Sequence, residues 1–357
     1  MASIGRRPDG QWRARYRDLA GKEHAKHFGR KVDAQQWLDA VTASLVRGDY
    51  VSPAMARTTV TQWCDTWLLG YATRRASSVR TAKYHVSLIK ESFGAMPLAA
   101  VKPSDVKSWT VKLGETRQQS TVYAIYRRLA QVMGDAVHDG LIARSPCSRR
   151  TSPGMAKQRP YMATTEQVWA LYAAMPEHLR VSVLLGAFVG LRVAEAVALR
   201  VTDADFLRRL VRPEIQYPAQ PLKSETSRTP VPIPEELMLE LAAVVERWRA
   251  PTFVCDVLSR PTNPWAIERA VREVRGSVEG LPAGFRFHDL RHYYASLLIA
   301  AGLDVKVVQA RLRHASATTT LNTYGHLWPD KDESARAAVA VAFASRESAG
   351  RDRWADA

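Results

Sequence analysis

Apolar and arginine positions alternate from Trp12 to Arg17. Trp12, Ala14 and Tyr16 point one way, and Arg13, Arg15 and Arg17 the other, the period of two expected of a half-buried strand. Asp9-Gly10 and Ala20-Gly21 supply turns on either side, and Lys22 to Phe28 reads as another strand. The period then lengthens. Trp37, Leu38, Val41 and Leu45 share one stripe of a helix from about Val32 to Val46. Residues 1–50 are therefore predicted to form a three-stranded sheet plus a helix, and VSPAMA at 51–56 reads as a hinge. From Thr58 to about Leu141 the pattern is helical. Trp63, Trp67 and Leu68 open one amphipathic helix, and Ser77 to Phe93 forms a second with Arg80, Lys83 and Lys90 interleaved. Pro103-Ser104-Asp105 starts a third, with Val106, Trp109, Val111 and Leu113 following. Ser120 to Val137 forms a fourth, with Val122, Ile125, Tyr126, Leu129, Val132 and Met133 as core and Arg127 and Arg128 outside. A Pro/Gly-broken basic stretch, Cys147 to Pro160, reads as a linker. Thr164 with Gln167 has the spacing of a capping box ahead of Val168, Leu171, Tyr172 and Met175. Leu179 to Val189 is nearly all apolar, as in a buried helix. Leu222 to Pro234 reads as a hairpin whose turn runs from Ser224 to Ser227. An alanine-rich tail, Glu333 to Phe343, reads as a helix without a polar face, which wants burial on its own chain or on a neighbouring protomer.

The 357 residues suffice for two or three domains with sizeable cores, and 46% of them are hydrophobic. No long uninterrupted apolar run and no secretory signal are present, so neither a membrane span nor export is expected. Cys64, Cys147 and Cys255 are odd in number and far apart, which argues against a disulfide framework and against a cysteine zinc site, and for a cytoplasmic setting. The formal charge of +16 points to a polyanionic partner. Its distribution says more. Residues 1–50 hold 10 basic and 6 acidic side chains, 51–159 hold 17 and 6, and 160–357 hold 24 and 23. The excess lies in the segments that precede the one carrying candidate chemistry, an order suited to gripping DNA first and acting on it second. Arg13, Arg15 and Arg17 on the strand, and Arg80, Lys83, Arg127 and Arg128 on the helices, are the candidate DNA contacts.

That chemistry is densest between Arg286 and Leu327. On a helix over 286–300, His288 and Arg291 share a face. His314 follows, and ten residues later Tyr324. Upstream, Arg192 and Glu195 stand three apart at the start of a predicted helix, and Lys223 precedes the predicted turn. The ordered set Arg192, Lys223, His288, Arg291, His314, Tyr324, with Glu195 after the first arginine, resembles the catalytic set of the tyrosine recombinases, the phage-integrase family. The likeness covers roughly residues 160–330. Two departures stand out. The family usually has Leu-Gly-His where this chain has Leu312-Arg313-His314, and Trp where it has Val201.

The resemblance implies a multidomain fold, mainly α with small β-sheets. Residues 1–50 would be an arm-type DNA-binding domain, 57–146 a SAM-like helical core-binding domain, 147–160 a linker, and 161–357 an α+β catalytic domain with a C-terminal tail helix. It implies a site-specific recombinase that cleaves and rejoins DNA through a 3′-phosphotyrosine. Tyr324 would be the nucleophile, and Arg192, Arg291 and His314 would bind the phosphate. His288 would be the base, Lys223 the acid on the leaving oxygen, and Glu195 an orienting residue. No cofactor and no metal are expected, since no HExxH pattern or acidic cluster accompanies His288, His292, His314 and His326. The expected partners are double-stranded DNA with core and arm attachment sites and three further copies of the chain in a homotetramer, with a directionality factor and a DNA-bending host protein as further candidates. A non-cleaving DNA-binding regulator and a type IB topoisomerase-like nicking-closing enzyme are the alternative readings.

Overall fold

Strands β1 (Ser3–Arg6), β2 (Trp12–Arg17) and β3 (Glu23–Phe28) form an antiparallel sheet in that order, and helix α1 (Lys31–Arg47) packs on it. The alternation of β2 is realised: Ala14 and Tyr16 are buried, whereas Arg13, Arg15 and Arg17 are exposed. Trp37 of α1 meets the Tyr16 ring edge-on at 5.5 Å. Opposite Arg13 on the neighbouring strands lie Gly5 and His27, and opposite Arg15 lie Ser3 and Ala25; both guanidiniums also approach the Glu23 carboxylate, at 3.6 and 3.8 Å. The computed structural model describes residues 2–18, 21–155, 160–222, 224–328, 336 and 339–340. The predicted tail helix therefore falls almost wholly outside the described residues. Two units divide the chain, Met1–Lys157 and Gln158–Ala357.

The rest of the first unit is a helical bundle, α2 (Val60–Tyr71), α3 (Ala76–Phe93), α4 (Pro103–Gly114) and α5 (Gln119–His138). Val86, Ile89, Val106, Trp109, Ile125, Leu129 and Val132 are among its buried side chains. The buried indoles find acceptors, as they must in an apolar interior: Trp63 Nε1 donates to Val132 O at 2.8 Å and Trp67 Nε1 to Asp135 at 2.6 Å. Val111 is exposed, because 106, 109 and 113 define the inward face of α4 and 111 lies off it. Arg80, Lys83 and Arg127 are exposed. Arg128 instead lies over the rings of Trp67 and Tyr71, 5.5 and 4.7 Å from their centroids. The first residues of the predicted linker are tied to α5, with Tyr126 Oη donating to Ser148 O at 2.7 Å.

The second unit begins with α6 (Thr165–Ala174). Its capping box forms as predicted, Gln167 N donating to Thr164 Oγ1 at 3.2 Å and Thr164 N to Gln167 Oε1 at 3.0 Å. Then come α7 (Arg180–Ala187), wholly buried after its first residue, and the single turn α8 (Val193–Ala196). Short strands follow: β4 (Ala204–Asp205), β5 (Leu210–Val211), β6 (Ile215–Gln216), β7 (Gln220–Pro221) and β8 (Val231–Pro232). The predicted 222–234 hairpin does not form. Residues 225–228 make a 3₁₀ turn, and β8 pairs with β5 while β7 pairs with β6. The cause is core packing: register places Val231 beside Val211, and both are fully buried. Helices α9 (Glu235–Trp248), α10 (Pro264–Val274), α11 (Phe287–Ala300), α12 (Val305–Leu312) and α13 (Ala317–Tyr324) complete the unit. None of the described helices is long and apolar enough to cross a membrane.

Helices α7 and α11 pack closely at Gly186, where an added Cβ would stand 3.0 Å from Leu290 and Phe287. Gly190, in the loop after α7, is more constrained. Its φ is +68°, and an added Cβ would stand 2.4 Å from the Tyr294 ring. Gly190→Ala combines a left-handed backbone with overpacking and should destabilise the unit by about 2–4 kcal/mol. Urea denaturation checks this; a loss below about 1 kcal/mol would show that the ring yields.

Candidate active site

Arg192 caps α8 and is held by the first turn of that helix. Glu195 Oε2 accepts from the Arg192 backbone N–H at 3.0 Å, and Glu195 Oε1 accepts from Arg192 Nη1 at 2.8 Å. Glu195 is buried, while the Arg192 side chain keeps 39% of its surface exposed. Burial alone would raise the Glu195 pKa, but the charges of Arg313 and Arg192 and the bonds from Arg192 hold it below the usual carboxylate range.

Arg291 projects from α11 into the centre and is 1% exposed. Its two terminal nitrogens donate to Gly190 O and to Leu312 O. One guanidinium thus joins the loop that delivers Arg192 to the helix end that delivers His314. Burial, with Arg192 and Arg313 beside it, lowers the Arg291 pKa to about 9, which leaves it charged at neutral pH.

Tyr324 ends α13 and is 1% exposed. Its hydroxyl lies 2.6 Å from His292 Nδ1. The His314 ring is parallel to the tyrosine ring, 6.4 Å between centroids, and its Nδ1 lies 2.9 Å from Thr320 Oγ1. His288 sits one turn before His292, edge-on to it at 4.8 Å, at the exposed rim. Desolvation, then neighbouring positive charge, lowers all three imidazoles: His288 and His292 to about 4, His314 to about 3. They are neutral at pH 7. Tyr324 is pushed up to about 12 by burial, against the pull of Arg291 and Arg192.

Of the residues expected from sequence, Arg192, Glu195, His288, Arg291, His314 and Tyr324 converge here. Lys223 lies outside the described residues. His288, expected as the base beside Tyr324, is not the histidine bonded to that hydroxyl; His292 is. It lies about 100° further round α11 than Arg291, on the side facing α13. The signal was present as two histidines four apart on a helix that also carries Arg291. Arg313 also enters the site, its Nη2 donating to Glu195 Oε2 at 2.6 Å. The exposed arginines of β2, α3 and α5 belong to the other unit. No group of three metal-ligating side chains occurs among the described residues.

Residues 162–330 match the phage integrase family model. The putative prophage phiRv2 integrase of Mycobacterium tuberculosis is 24% identical over 363 residues, covering 95% of this chain and 94% of that one. The solved structure of the Tn1549 transposon integrase with transposon right end DNA superposes with a TM-score of 0.67 at 21% identity, over 78% of this chain and 98% of the other. A lambda integrase dimer bound to a core site gives 0.62 at 19% identity, over 92% and 96%. By the match to the family model, residues 162–330 belong to the phage integrase family of tyrosine recombinases, and integrases align with the chain along nearly its whole length.

Proposed function

We propose that this recombinase cleaves and rejoins attachment-site DNA through a covalent bond to Tyr324, integrating or excising a mobile element. The observation that carries this reading is the Tyr324–His292 pair set among Arg192, Arg291 and His314. Tyr324 Oη attacks the backbone phosphorus while the P–O5′ bond breaks, leaving a 3′-phosphotyrosine and a 5′-hydroxyl. One diester replaces another, so no nucleotide cofactor is needed, and the reverse attack by a partner strand's hydroxyl rejoins the DNA.

A phenol at about 12 is a poor nucleophile at pH 7. His292, neutral and already on the hydroxyl, takes the proton as the O–P bond forms, and the arriving phosphate anion raises its basicity. Arg192 and Arg291 neutralise charge on the non-bridging oxygens. With the Thr320 hydroxyl donating to His314 Nδ1, Nε2 carries the proton and donates to the phosphate. His288 supports His292 edge-on, and Lys223 is assigned the proton for the leaving 5′-oxygen.

The domain roles follow the same reading. Residues 1–50 bind arm sites through Arg13, Arg15 and Arg17, and 57–146 grip the core site through Arg80, Lys83 and Arg127, Arg128 being held over the Trp67 and Tyr71 rings. Residues 147–160 connect them to the catalytic domain, 161–357. Four copies assemble on paired DNA, as in the lambda integrase tetramer bound to a Holliday junction, with a directionality factor and a bending protein as partners. The setting is the cytoplasm, where the DNA lies.

Covalent trapping tests the reading. The protein, with EDTA present, is incubated with nicked duplex carrying its candidate attachment site and a 5′-bridging phosphorothiolate. An SDS-resistant adduct mapped to Tyr324 is expected. Tight binding without an adduct, or an adduct on another tyrosine, overturns it.

The base assignment has its own signature. His292→Ala should slow single-turnover cleavage at pH 7 by about 10²–10³-fold. Its rate should then climb nearly tenfold per pH unit up to about pH 10, because phenolate must form before attack. The wild-type rate should stay nearly flat above pH 6.5, where His292 is already neutral. Parallel profiles would show that His292 is not the base.

A further inference from the structure

Arg313 occupies a position that disfavours it twice. It follows the last residue of α12 with φ 54° and ψ 43°, the left-handed conformation that suits glycine. Its guanidinium is then turned inward and left 1% exposed, although a buried charge must find partners. It finds them at two places. Nη2 donates to Glu195 Oε2 at 2.6 Å, and Nη1 donates to Ser227 O at 3.2 Å. The first contact bears on the reaction. Glu195 is the carboxylate that also holds Arg192, through its other oxygen. One buried anion is thus shared between two guanidiniums, one exposed toward the phosphate site and one wholly internal.

We propose that Arg313 is a positioning residue for the recombinase reaction: it takes up the charge of Glu195, so that Glu195 fixes the Arg192 side chain without neutralising it. This rests on the reading that Arg192 binds the phosphate under attack by Tyr324. Arg192, Arg291 and Arg313 against Glu195 leave a net charge of two at the site. That matches a phosphodiester whose single negative charge doubles as the tyrosine oxygen adds. Without Arg313, Glu195 falls to Arg192 alone, and the site keeps one net charge. The Ser227 contact extends the same clamp to the 225–228 turn, tying it to the end of α12.

Four forms of the full chain are compared on the nicked phosphorothiolate duplex: wild type, Arg313→Gly, Arg313→Lys, and Arg313→Gly with Glu195→Gln. Glycine suits the backbone and removes the charge. DNA affinity should stay within about threefold of wild type, while single-turnover adduct formation slows by about tenfold or more. Arg313→Lys should recover most of the rate. Adding Glu195→Gln to Arg313→Gly should speed the reaction again, because it releases Arg192, whereas a merely structural role would give a double variant no better than the single. Should Arg313→Gly fail to fold, Arg313→Met fills the volume without charge and is expected to show the same slowing. A neutral variant at the wild-type rate, a lysine variant no faster than glycine, or a double variant no faster than Arg313→Gly overturns the proposal alone. No adduct from the wild type overturns the site reading and this proposal with it.

Discussion

Tyr324→Phe is expected to bind attachment-site DNA with unchanged affinity and to form no covalent adduct, a loss of at least about 10⁴-fold in cleavage. Phenylalanine keeps the ring stacked on His314 and buried at the end of α13, and removes only the oxygen. The lost hydrogen bond frees His292 Nδ1 at a half-buried edge where water can replace it, so the expected stability change is within about 1 kcal/mol. Gel-shift titration beside denaturing-gel detection of the adduct separates the two quantities. Residual adduct at wild-type yield would place the nucleophile elsewhere.

The second large effect concerns Arg291, where structure and chemistry fail together. Arg291→Ala leaves the carbonyls of Gly190 and Leu312 without their donor inside the protein and opens a cavity between them. Two orphaned carbonyls at about 1–3 kcal/mol each predict a loss of about 3–5 kcal/mol, and removal of a buried phosphate donor predicts a fall in cleavage of about 10³-fold or more. Arg291→Lys discriminates between the effects. It keeps the charge but cannot reach both carbonyls, so it should regain some activity while remaining destabilised by about 2 kcal/mol. Chemical denaturation together with single-turnover rates reads both. A stable alanine variant would mean that the two segments do not depend on this guanidinium.

Much of the molecule was legible because local rules and tertiary demands agree. Strand β2 alternates because one face meets α1, and α6 begins where Thr164 and Gln167 cap each other. The reacting groups were legible by their order along the chain, since Arg192, His288, Arg291, His314 and Tyr324 are chemically distinctive. What failed was whatever depends on non-local packing. Strand β8 was assigned to a hairpin with its own upstream neighbour, because nothing local reveals that Val231 belongs beside Val211. Val111 follows the helix start together with Val106, Trp109 and Leu113, and only the bundle shows that it lies off their buried face. His292 was passed over for His288, because which of two histidines on one helix meets a tyrosine 32 residues later depends on where α13 packs. Arg313 stood out only as a departure from Leu-Gly-His, and what it does there was hidden because its partner Glu195 lies 118 residues away.

The burial of Tyr324 also bears on how the protein behaves when idle. With the hydroxyl closed off from solvent and its pKa pushed up to about 12 by burial, a preformed phenolate is scarce at pH 7. A phosphate that arrives there meets no ready-made phenolate, and attack waits on proton transfer to His292. On the proposed mechanism restraint is built into the resting chain: without proton transfer to His292 the buried hydroxyl is inert, so accidental nicking is held down by default.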